Sequence, residues 1–292
     1  MREARKKKRF MQGEEKSNMT FSMQESSAIQ SKPTSRFDFV VIGGGSAGYA
    51  AARTAAELGK KVAIVDGAKE LGGLCILRGC MPSKTLIYSA EALHFAQSGE
   101  TFGFAADNAK ADLAAMQRRK QEVIAEFAEY RQGQLESDRF TLFRQKARFR
   151  DEGSVELTDG SVIEAEAFLV ATGSVASSPK VAGLDQTSFW TSDEVLELDE
   201  LPESVITLGG GVVACELAQF LARVVTKVTL VQRSPRILKE FSKEASLCVE
   251  QAFRDEGIEV FTDTQLEQIE ETDGGVSVRF QHEGALVERK AA

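Results

Sequence analysis

The chain has 292 residues, of which 42% are hydrophobic and 27% are charged, and its net charge is −8. This composition is typical of a soluble globular protein of about two domains, and the negative charge argues against nucleic-acid binding. The apolar runs fall short of the roughly eighteen residues of a membrane span, and the four cysteines are too few for a disulfide scaffold, so we expect a cytoplasmic protein that does not enter the membrane.

Residues 1–36 differ in composition from the rest of the chain. They open with a basic run around Arg5 and then turn polar. No apolar segment follows the basic run, so it is not a secretory signal, and Glu3, Glu14 and Glu15 argue against an organelle-targeting peptide. We predict a disordered tail, because this composition cannot form a packed core.

Two later segments, residues 37–66 and 205–232, share one order of elements. Each reads as a short β-branched strand, a glycine cluster, an Ala-rich helix and a second strand. This βαβ order predicts an α/β protein with two Rossmann-like, doubly wound nucleotide-binding domains, which we place at residues 37–180 and 181–292. Further elements are predicted as helices at residues 84–97, 112–137 and 243–256, and as strands at residues 140–149, 155–157, 162–170, near 260, 266–269 and 276–281.

The first glycine cluster follows a strand and opens a helix. Gly43 allows the tight turn, Gly45 lets the backbone approach a pyrophosphate, and Gly48 lets helix and strand pack closely. Asp66 ends the next strand, where an acid can hydrogen-bond a ribose hydroxyl. The alternative is a purely structural turn, but the strand, helix and acid together favour nucleotide binding.

Cys75 and Cys80 are five residues apart in a glycine-flanked segment. A disulfide closing so short a loop adds little stability, which favours a redox role. We expect Cys80 to begin a helix, where the helix dipole and the nearby Lys84 would lower its pKa. A metal site and two unpaired thiols are the alternatives, but zinc needs more ligands and the chain has only His94 and His282.

The segment from Gly72 to Lys84 resembles the GGxCxxxGCxPSK signature of the class that includes dihydrolipoamide dehydrogenase, glutathione reductase and mercuric reductase. The resemblance runs from about Phe37 to the end of the chain. It implies an FAD-binding first domain and a nicotinamide-binding second domain. It also implies that Cys80 lies against the flavin, that Cys75 exchanges with substrate, and that Lys84 lies near flavin N5.

The same resemblance implies a set of FAD contacts. Leu74 departs from it by replacing a usual Thr, which removes a hydroxyl near the cofactor. The run Ala171-Thr172-Gly173-Ser174 looks like the family's ATGS turn. The residues expected to contact FAD are Gly43, Gly45, Ser46, Ala47, Gly48, Asp66, Gly73, Lys84, Ala147, Ala171, Thr172 and Gly173.

The second glycine cluster resembles the family's nicotinamide-binding turn, through Gly209, Gly211 and Val213. The resemblance implies that Glu216 pairs with Lys84 beside the flavin, and it makes Cys75, Cys80, Lys84 and Glu216 the catalytic group.

The strand after the second cluster ends in Gln232 and Arg233, where NAD-binding proteins carry an acid. The cofactor is therefore NAD or NADP, and the missing acid slightly favours NADP. The alternative for both Arg233 and Arg236 is a solvated turn.

Family members continue beyond this sequence with a dimerisation domain that carries a His–Glu catalytic pair, and no counterpart is found here. The chain therefore reads as truncated, with the nicotinamide domain incomplete, and a homodimer is expected only for the full-length family. We expect an FAD-dependent NAD(P)-disulfide oxidoreductase that acts on a small dithiol or a lipoyl-bearing protein. The alternatives are a non-catalytic fragment, or an enzyme with a glutathione-type or mercuric acceptor.

Overall fold

A computed structural model describes residues 34–224 and 226–292. The basic part of the predicted tail lies outside these residues. The elements in chain order are β1 (Thr34–Ile42), α1 (Ser46–Glu57), β2 (Val62–Val65), α2 (Gly73–Leu77), α3 (Cys80–Gln97), α4 (Leu113–Leu135), β3 (Thr141–Phe143), β4 (Ala147–Asp151), β5 (Ser154–Leu157), β6 (Val162–Val170), α5 (Ser192–Leu196), β7 (Ser204–Leu208), α6 (Val212–Arg223), β8 (Lys227–Val231), α7 (Lys243–Asp255), β9 (Glu259–Phe261), β10 (Gln265–Thr272), β11 (Gly275–His282) and β12 (Ala285–Ala291).

The first half is built on a six-stranded sheet in the order β3-β2-β1-β6-β5-β4. Strand β1 pairs in parallel with both β2 and β6, so the carboxyl ends of these three strands meet at one edge. All four residues of β2 are buried, as expected for a strand covered on both faces of a parallel sheet. The glycine turn follows β1 at this edge, which is where ligands bind in open α/β sheets.

The second half repeats the pattern on a smaller scale. Strands β7, β8 and β9 form a parallel sheet, and β10, β11 and β12 form an antiparallel one. The α/β class with Rossmann-like parallel sheets is thus confirmed.

One hydrophobic cluster spans the two halves. Helix α3 of the first half packs against α6 of the second. Leu86, Ala90 and Leu93 of α3 belong to the same buried cluster as Ala218 and Leu221 of α6. This packing brings the start of α3, at Cys80, towards the start of α6, which follows the second glycine cluster.

Three local expectations differ from the structure. Strand β1 begins at Thr34, three residues before the predicted boundary, because residues from Thr34 onward continue the ladder with β6. The single strand expected over residues 140–149 is two strands, β3 beside β2 and β4 beside β5 at the opposite edge of the sheet. Strand β12 was not anticipated, since its polar residues give no clear alternation.

The helical spacing of apolar residues along α4, from Leu113 to Tyr130, predicts a buried stripe, and this prediction is wrong in the second half of the helix. Phe127 and Tyr130 are exposed, whereas Leu113, Lys120 and Leu135 are the buried residues of the helix. None of the helices within the described ranges is long and apolar enough to cross a membrane.

Candidate functional site

Two glycines of the first turn cannot be replaced by larger residues. Gly43 has φ +104°, and a Cβ there would lie 2.3 Å from the carbonyl oxygen of Ala171. A Cβ on Gly48 would lie 1.8 Å from the carbonyl oxygen of Gly43. By contrast, a Cβ on Gly45 would meet only the Cα of Gly73, at 3.6 Å. The turn therefore holds its shape and leaves its outer side open, as a pyrophosphate at the start of α1 requires. Ser46 and Ala47, in the first turn of α1, are exposed on this open side.

Asp66 is buried and locked to this turn. Its Oδ2 accepts the backbone N–H of Gly44 at 2.8 Å, and its Oδ1 accepts the N–H of Ala68 at 2.9 Å. The carboxylate thus lies beside the glycine turn at the end of β2, where the sequence places a nucleotide-binding acid.

Two further segments that carry expected FAD contacts lie near the same edge. Ala171 donates its backbone N–H to Ile42 at 2.8 Å, and the following Thr172 and Gly173 are exposed. A Cβ on Gly67 would lie 2.8 Å from the backbone N of Lys146, which brings the start of β4, at Ala147, close to the end of β2. The residues present fit a bound dinucleotide, since the turn is open and its acid is in place.

The two cysteines meet where α2 ends and α3 begins. Both are free thiols, with Cys75 partly buried and Cys80 exposed. A Cβ on Gly79, the residue before Cys80, would lie 3.3 Å from the Cα of Cys75. Gly73 lies against Gly45, since its Cβ would fall 2.4 Å from the Cα of Gly45. The cysteine segment is therefore packed directly on the first glycine turn.

The expected lowering of the Cys80 pKa is wrong. Its pKa is raised above the ordinary value, chiefly because the thiol hydrogen-bonds Cys75, with burial and the charge of Cys75 acting in the same direction. Its own backbone N–H and Lys84 act in the opposite direction, as predicted, but they are outweighed. In the dithiol form the sulfur of Cys75 therefore affects the pKa of Cys80 more strongly than the start of α3 does.

The predicted pairing of Lys84 with Glu216 is confirmed. The Nζ of Lys84 on α3 donates to both carboxylate oxygens of Glu216 on α6, each at 2.7 Å. Lys84 lies one turn after Cys80, at the start of α3, and Glu216 lies one turn after Val212, at the start of α6. The pair therefore joins the cysteine segment to the second glycine cluster.

The second glycine turn copies the geometry of the first. Gly209 has φ +108°, and a Cβ on Gly211 would meet nothing within 4 Å, so this turn is also open. Gln232 is buried, and its Oε1 accepts the backbone N–H of Gly210 at 3.1 Å. Asp66 makes the equivalent bond to Gly44, with the same separation of 22 residues. Gln232 thus occupies the position that Asp66 has in the first turn, but it carries no negative charge.

The two arginines after Gln232 differ in their contacts. Arg236 donates through Nη2 to the carbonyl oxygens of Lys239 and Phe241, which holds it in its own loop. Arg233 is exposed at the end of the strand. Val213, in the first turn of α6, is also exposed. Arg233 is therefore the freer of the two cations beside the open turn.

The contacts of His282 lie within the second half of the chain. Its Nδ1 lies 3.0 Å from the carbonyl oxygen of Thr262. Its ring, at the end of β11, packs against the ring of Phe261 at the end of β9. Across residues 34–224 and 226–292, no cluster of three or more potential metal-ligating side chains forms.

Two functionally interesting positions were missed by sequence reasoning. Lys120 is fully buried and donates to Glu197 and to the carbonyl oxygen at the end of α5. Arg131, further along α4, has buried guanidinium nitrogens without partners. Neither position carries a motif, and the burial of both side chains depends on contacts that the sequence does not show.

Comparisons with known proteins agree with this arrangement. A family profile described as pyridine nucleotide-disulphide oxidoreductase matches residues 37–288. The chain is 34% identical to a mercuric reductase from Bacillus cereus over 82% of its own length and 38% of the relative. It is 37% identical to a dihydrolipoyl dehydrogenase from Chlorobaculum tepidum over 86% of its length and 54% of the relative.

A solved structure shows the same fold. The flavoprotein disulfide reductase RclA from Escherichia coli, in a Cu(II) complex, superposes with a TM-score of 0.73 at 25% identity, covering 88% of this chain and 55% of that one. The chain thus spans about half the length, or less, of the relatives it matches. The match across both glycine turns and the cysteine segment is decisive: the chain belongs to the pyridine nucleotide-disulphide oxidoreductase family.

Proposed function

We propose that the protein is an FAD-dependent NAD(P)-disulfide oxidoreductase that uses Cys75 and Cys80 as its redox pair. The observation that carries this proposal is the bidentate pair between Lys84 and Glu216. It links the cysteine helix to the nicotinamide helix, which are the two parts that must act together in such an enzyme. A fragment without a catalytic role is not favoured, because such a fragment would not need an ion pair between these two helices.

Each residue then has a distinct part. FAD, when bound, supplies the two-electron chemistry between nicotinamide and disulfide. The partly buried Cys75 is the thiol that exchanges with substrate, and Cys80 is the thiol beside the flavin. Lys84, held by Glu216, keeps a positive charge near that thiol, which favours its ionised form. The open glycine turns leave their backbone N–H groups free for the two pyrophosphates.

The nicotinamide cofactor that suits this chain best is NADP. Gln232 takes the position of a ribose-binding acid but brings no negative charge against a 2′-phosphate. Arg233 is exposed beside it and can approach the phosphate, whereas Arg236 is held by Lys239 and Phe241.

The substrate class that we propose is a small disulfide or dithiol, dihydrolipoamide first, or a lipoyl group carried by a protein. The similarity to dihydrolipoyl dehydrogenases favours this assignment. A mercuric acceptor is the second candidate, because the similarity to mercuric reductases is comparable. We expect the whole protein to act as a cytoplasmic homodimer.

The test is the visible spectrum of the protein loaded with FAD. In the wild-type protein, anaerobic two-electron reduction opens the disulfide and leaves the flavin oxidised, so we expect a long-wavelength charge-transfer band. The Cys80→Ser variant should lack this band before and after reduction. The Cys75→Ser variant has no disulfide to open, so it should show the band before reduction and lose it when the flavin itself is reduced. A protein that binds FAD but never develops the band would contradict a thiolate beside the flavin. A protein that does not bind FAD would contradict the flavoprotein assignment for this chain.

A further inference from the structure

The segment between β8 and α7, residues 232–242, is folded onto the second glycine turn. It holds both backbone polar groups of Gly210, the middle glycine of that turn. The Oε1 of Gln232 accepts the N–H of Gly210 at 3.1 Å, and the N–H of Leu238 donates to the carbonyl oxygen of Gly210 at 2.7 Å. The buried Ile237 packs so closely that a Cβ on Gly210 would lie 2.8 Å from its Cγ2. The orientation of Gly210 is therefore set from outside the turn.

The bond from Leu238 also sets the direction of the next N–H group. In a trans peptide, such as this one, the C=O of one residue and the N–H of the next point in opposite directions. Because the carbonyl of Gly210 points to Leu238, the N–H of Gly211 points away from segment 232–242. Gly211 immediately precedes α6, and a helix start is where an anion such as a pyrophosphate binds. Leu238 thus directs a donor of the nucleotide-binding turn.

Leu238 has a backbone conformation that leucine rarely adopts. Its φ is +48°, in the left-handed region that favours glycine and asparagine. Its carbonyl oxygen accepts the N–H of Phe241 at 2.9 Å and the hydroxyl of Ser246, a buried residue of α7, at 3.2 Å. Its side chain packs against the hydrophobic cluster that contains Ile237 and Leu221. Contacts of its N–H, its carbonyl and its side chain therefore hold Leu238 in a conformation that is costly by itself.

The first glycine turn is supported differently. Gly44 is the counterpart of Gly210 in that turn, and its N–H is held by Asp66. A Cβ on Gly44 would lie 3.3 Å from Leu135 of α4. A long helix thus covers the first turn, whereas the second is covered by a short segment that contains one strained residue. A change at Leu238 should therefore reach the second turn and leave the first one unaltered.

We propose that Leu238 is a positioning residue for the nicotinamide nucleotide, because its left-handed conformation presents the N–H that orients the second glycine turn for the pyrophosphate. The inference rests on the proposed function, in which this turn binds NAD(P). It goes beyond that function by assigning a role to a residue that acts through Gly210 and not by contact with the nucleotide.

Two substitutions separate the backbone conformation of Leu238 from its packing. Leu238→Ile keeps the volume of the side chain, but a β-branched residue is a steric outlier at this φ. The residue should leave the left-handed region, and its N–H should turn away from Gly210. Leu238→Asn loses apolar packing, but asparagine tolerates the left-handed conformation. The loss of packing and the loss of the Gly210 bond should therefore fall in different variants.

The affinities are measured by isothermal titration calorimetry of the full chain with FAD, NADP⁺ and NAD⁺, oxidised nucleotides that cannot reduce a flavin. We expect Leu238→Ile to raise Kd for NADP⁺ and NAD⁺ about tenfold, because a preorganised turn is lost, and to leave Kd for FAD unchanged. Leu238→Asn should keep all three Kd values close to those of the wild type, although urea unfolding shows lower stability. Asn108→Ile is the matched control, since it places the same strain at an exposed residue with φ +59° before α4, and it should change no Kd.

An unchanged Kd for both nicotinamide nucleotides in Leu238→Ile would overturn the proposal. An equal rise in Kd for FAD, or in Asn108→Ile, would do the same, because it would indicate general destabilisation. So would an equal rise in Leu238→Asn, which would assign the effect to packing.

If Leu238→Ile fails to fold, Ser246→Ala decides. It removes the hydroxyl that donates to the carbonyl oxygen of Leu238, and it must raise Kd for NADP⁺ about threefold, the lower end of what one hydrogen bond contributes. An unchanged Kd would overturn the proposal. A wild-type chain that binds FAD but neither NADP⁺ nor NAD⁺ would contradict the proposed function, and the inference with it, so the two failures are distinguishable.

Discussion

Lys84 and Glu216, 132 positions apart, form a bidentate ion pair in which both oxygens of Glu216 lie 2.7 Å from the ammonium of Lys84. The side chains are 57% and 31% exposed, so the pair contributes little to stability, about 1 kcal/mol or less. The pair instead holds the positive charge of Lys84 near Cys80, and it joins α3 to α6 beside the second glycine turn.

We therefore expect Glu216→Gln to leave the free energy of unfolding within about 1 kcal/mol of the wild-type value. It should also slow reduction of bound FAD by NADPH about tenfold, because Lys84 loses its charged partner. Stopped-flow absorbance and urea unfolding measure the two effects. Glu156→Gln, which breaks the exposed pair between Glu156 on β5 and Arg148 on β4, is the matched control and should alter neither. Equal flavin reduction in Glu216→Gln and wild type would refute a functional role for the pair.

Asp66 holds the first glycine turn through two backbone bonds. Replacing it by Ala leaves the buried N–H of Gly44 without an acceptor, so we expect a loss of about 1–3 kcal/mol in stability and weaker FAD binding. Asp66→Asn keeps one acceptor oxygen and should be milder in stability. Thermal unfolding and fluorescence titration with FAD test both. If Asp66→Ala binds FAD as well as wild type, the acid has no part in the nucleotide site.

Gln232→Glu should turn the nicotinamide preference towards NAD. The new carboxylate can still accept the Gly210 N–H but repels a 2′-phosphate, so Kd for NADPH should rise about tenfold relative to Kd for NADH. Gln265→Glu adds the same charge at an exposed position of the second half and serves as control. Fluorescence titrations with both nucleotides give the ratio, and an unchanged ratio in Gln232→Glu would contradict the NADP assignment.

The raised pKa of Cys80 predicts a specific pH dependence. Because the thiolate is the nucleophile, alkylation of Cys80 in the reduced protein should reach half its maximal rate above the pH of an ordinary cysteine. Cys75→Ala removes the hydrogen bond and the charge that raise the pKa, leaving Lys84 and the backbone N–H to lower it. The midpoint should then move to lower pH. Iodoacetamide rates in a Cys248→Ala background measure it, and a midpoint that stays in place would exclude Cys75 as the cause.

The sequence indicated the parts of this fold that rest on regular patterns. Strand β6 was predicted at its observed bounds, and both glycine turns lie where their spacing with Asp66 and Gln232 places them. The Lys84–Glu216 pair was anticipated only through family resemblance, since no local pattern links residues so distant.

The failures arise from side-chain contacts that no sequence pattern shows. The exposed Phe127 and the buried Lys120 depart from the expected buried face of α4, because Lys120 donates to Glu197 and to the carbonyl oxygen of Leu196 at the end of α5. The Cys80 pKa was mispredicted because a helix start and a lysine are visible in sequence, while the hydrogen bond to Cys75 is not.

The central claim is that electrons pass from a nicotinamide through FAD to the Cys75–Cys80 pair, and thiol trapping tests it most directly. The protein is first oxidised so that the two cysteines are bridged, then loaded with FAD, mixed anaerobically with NADPH, and alkylated for mass spectrometry. We predict that Cys75 and Cys80 become alkylated only when both FAD and NADPH are present, whereas the exposed Cys248 is alkylated in every sample. A flavin that NADPH reduces while Cys75 and Cys80 remain bridged would contradict the claim.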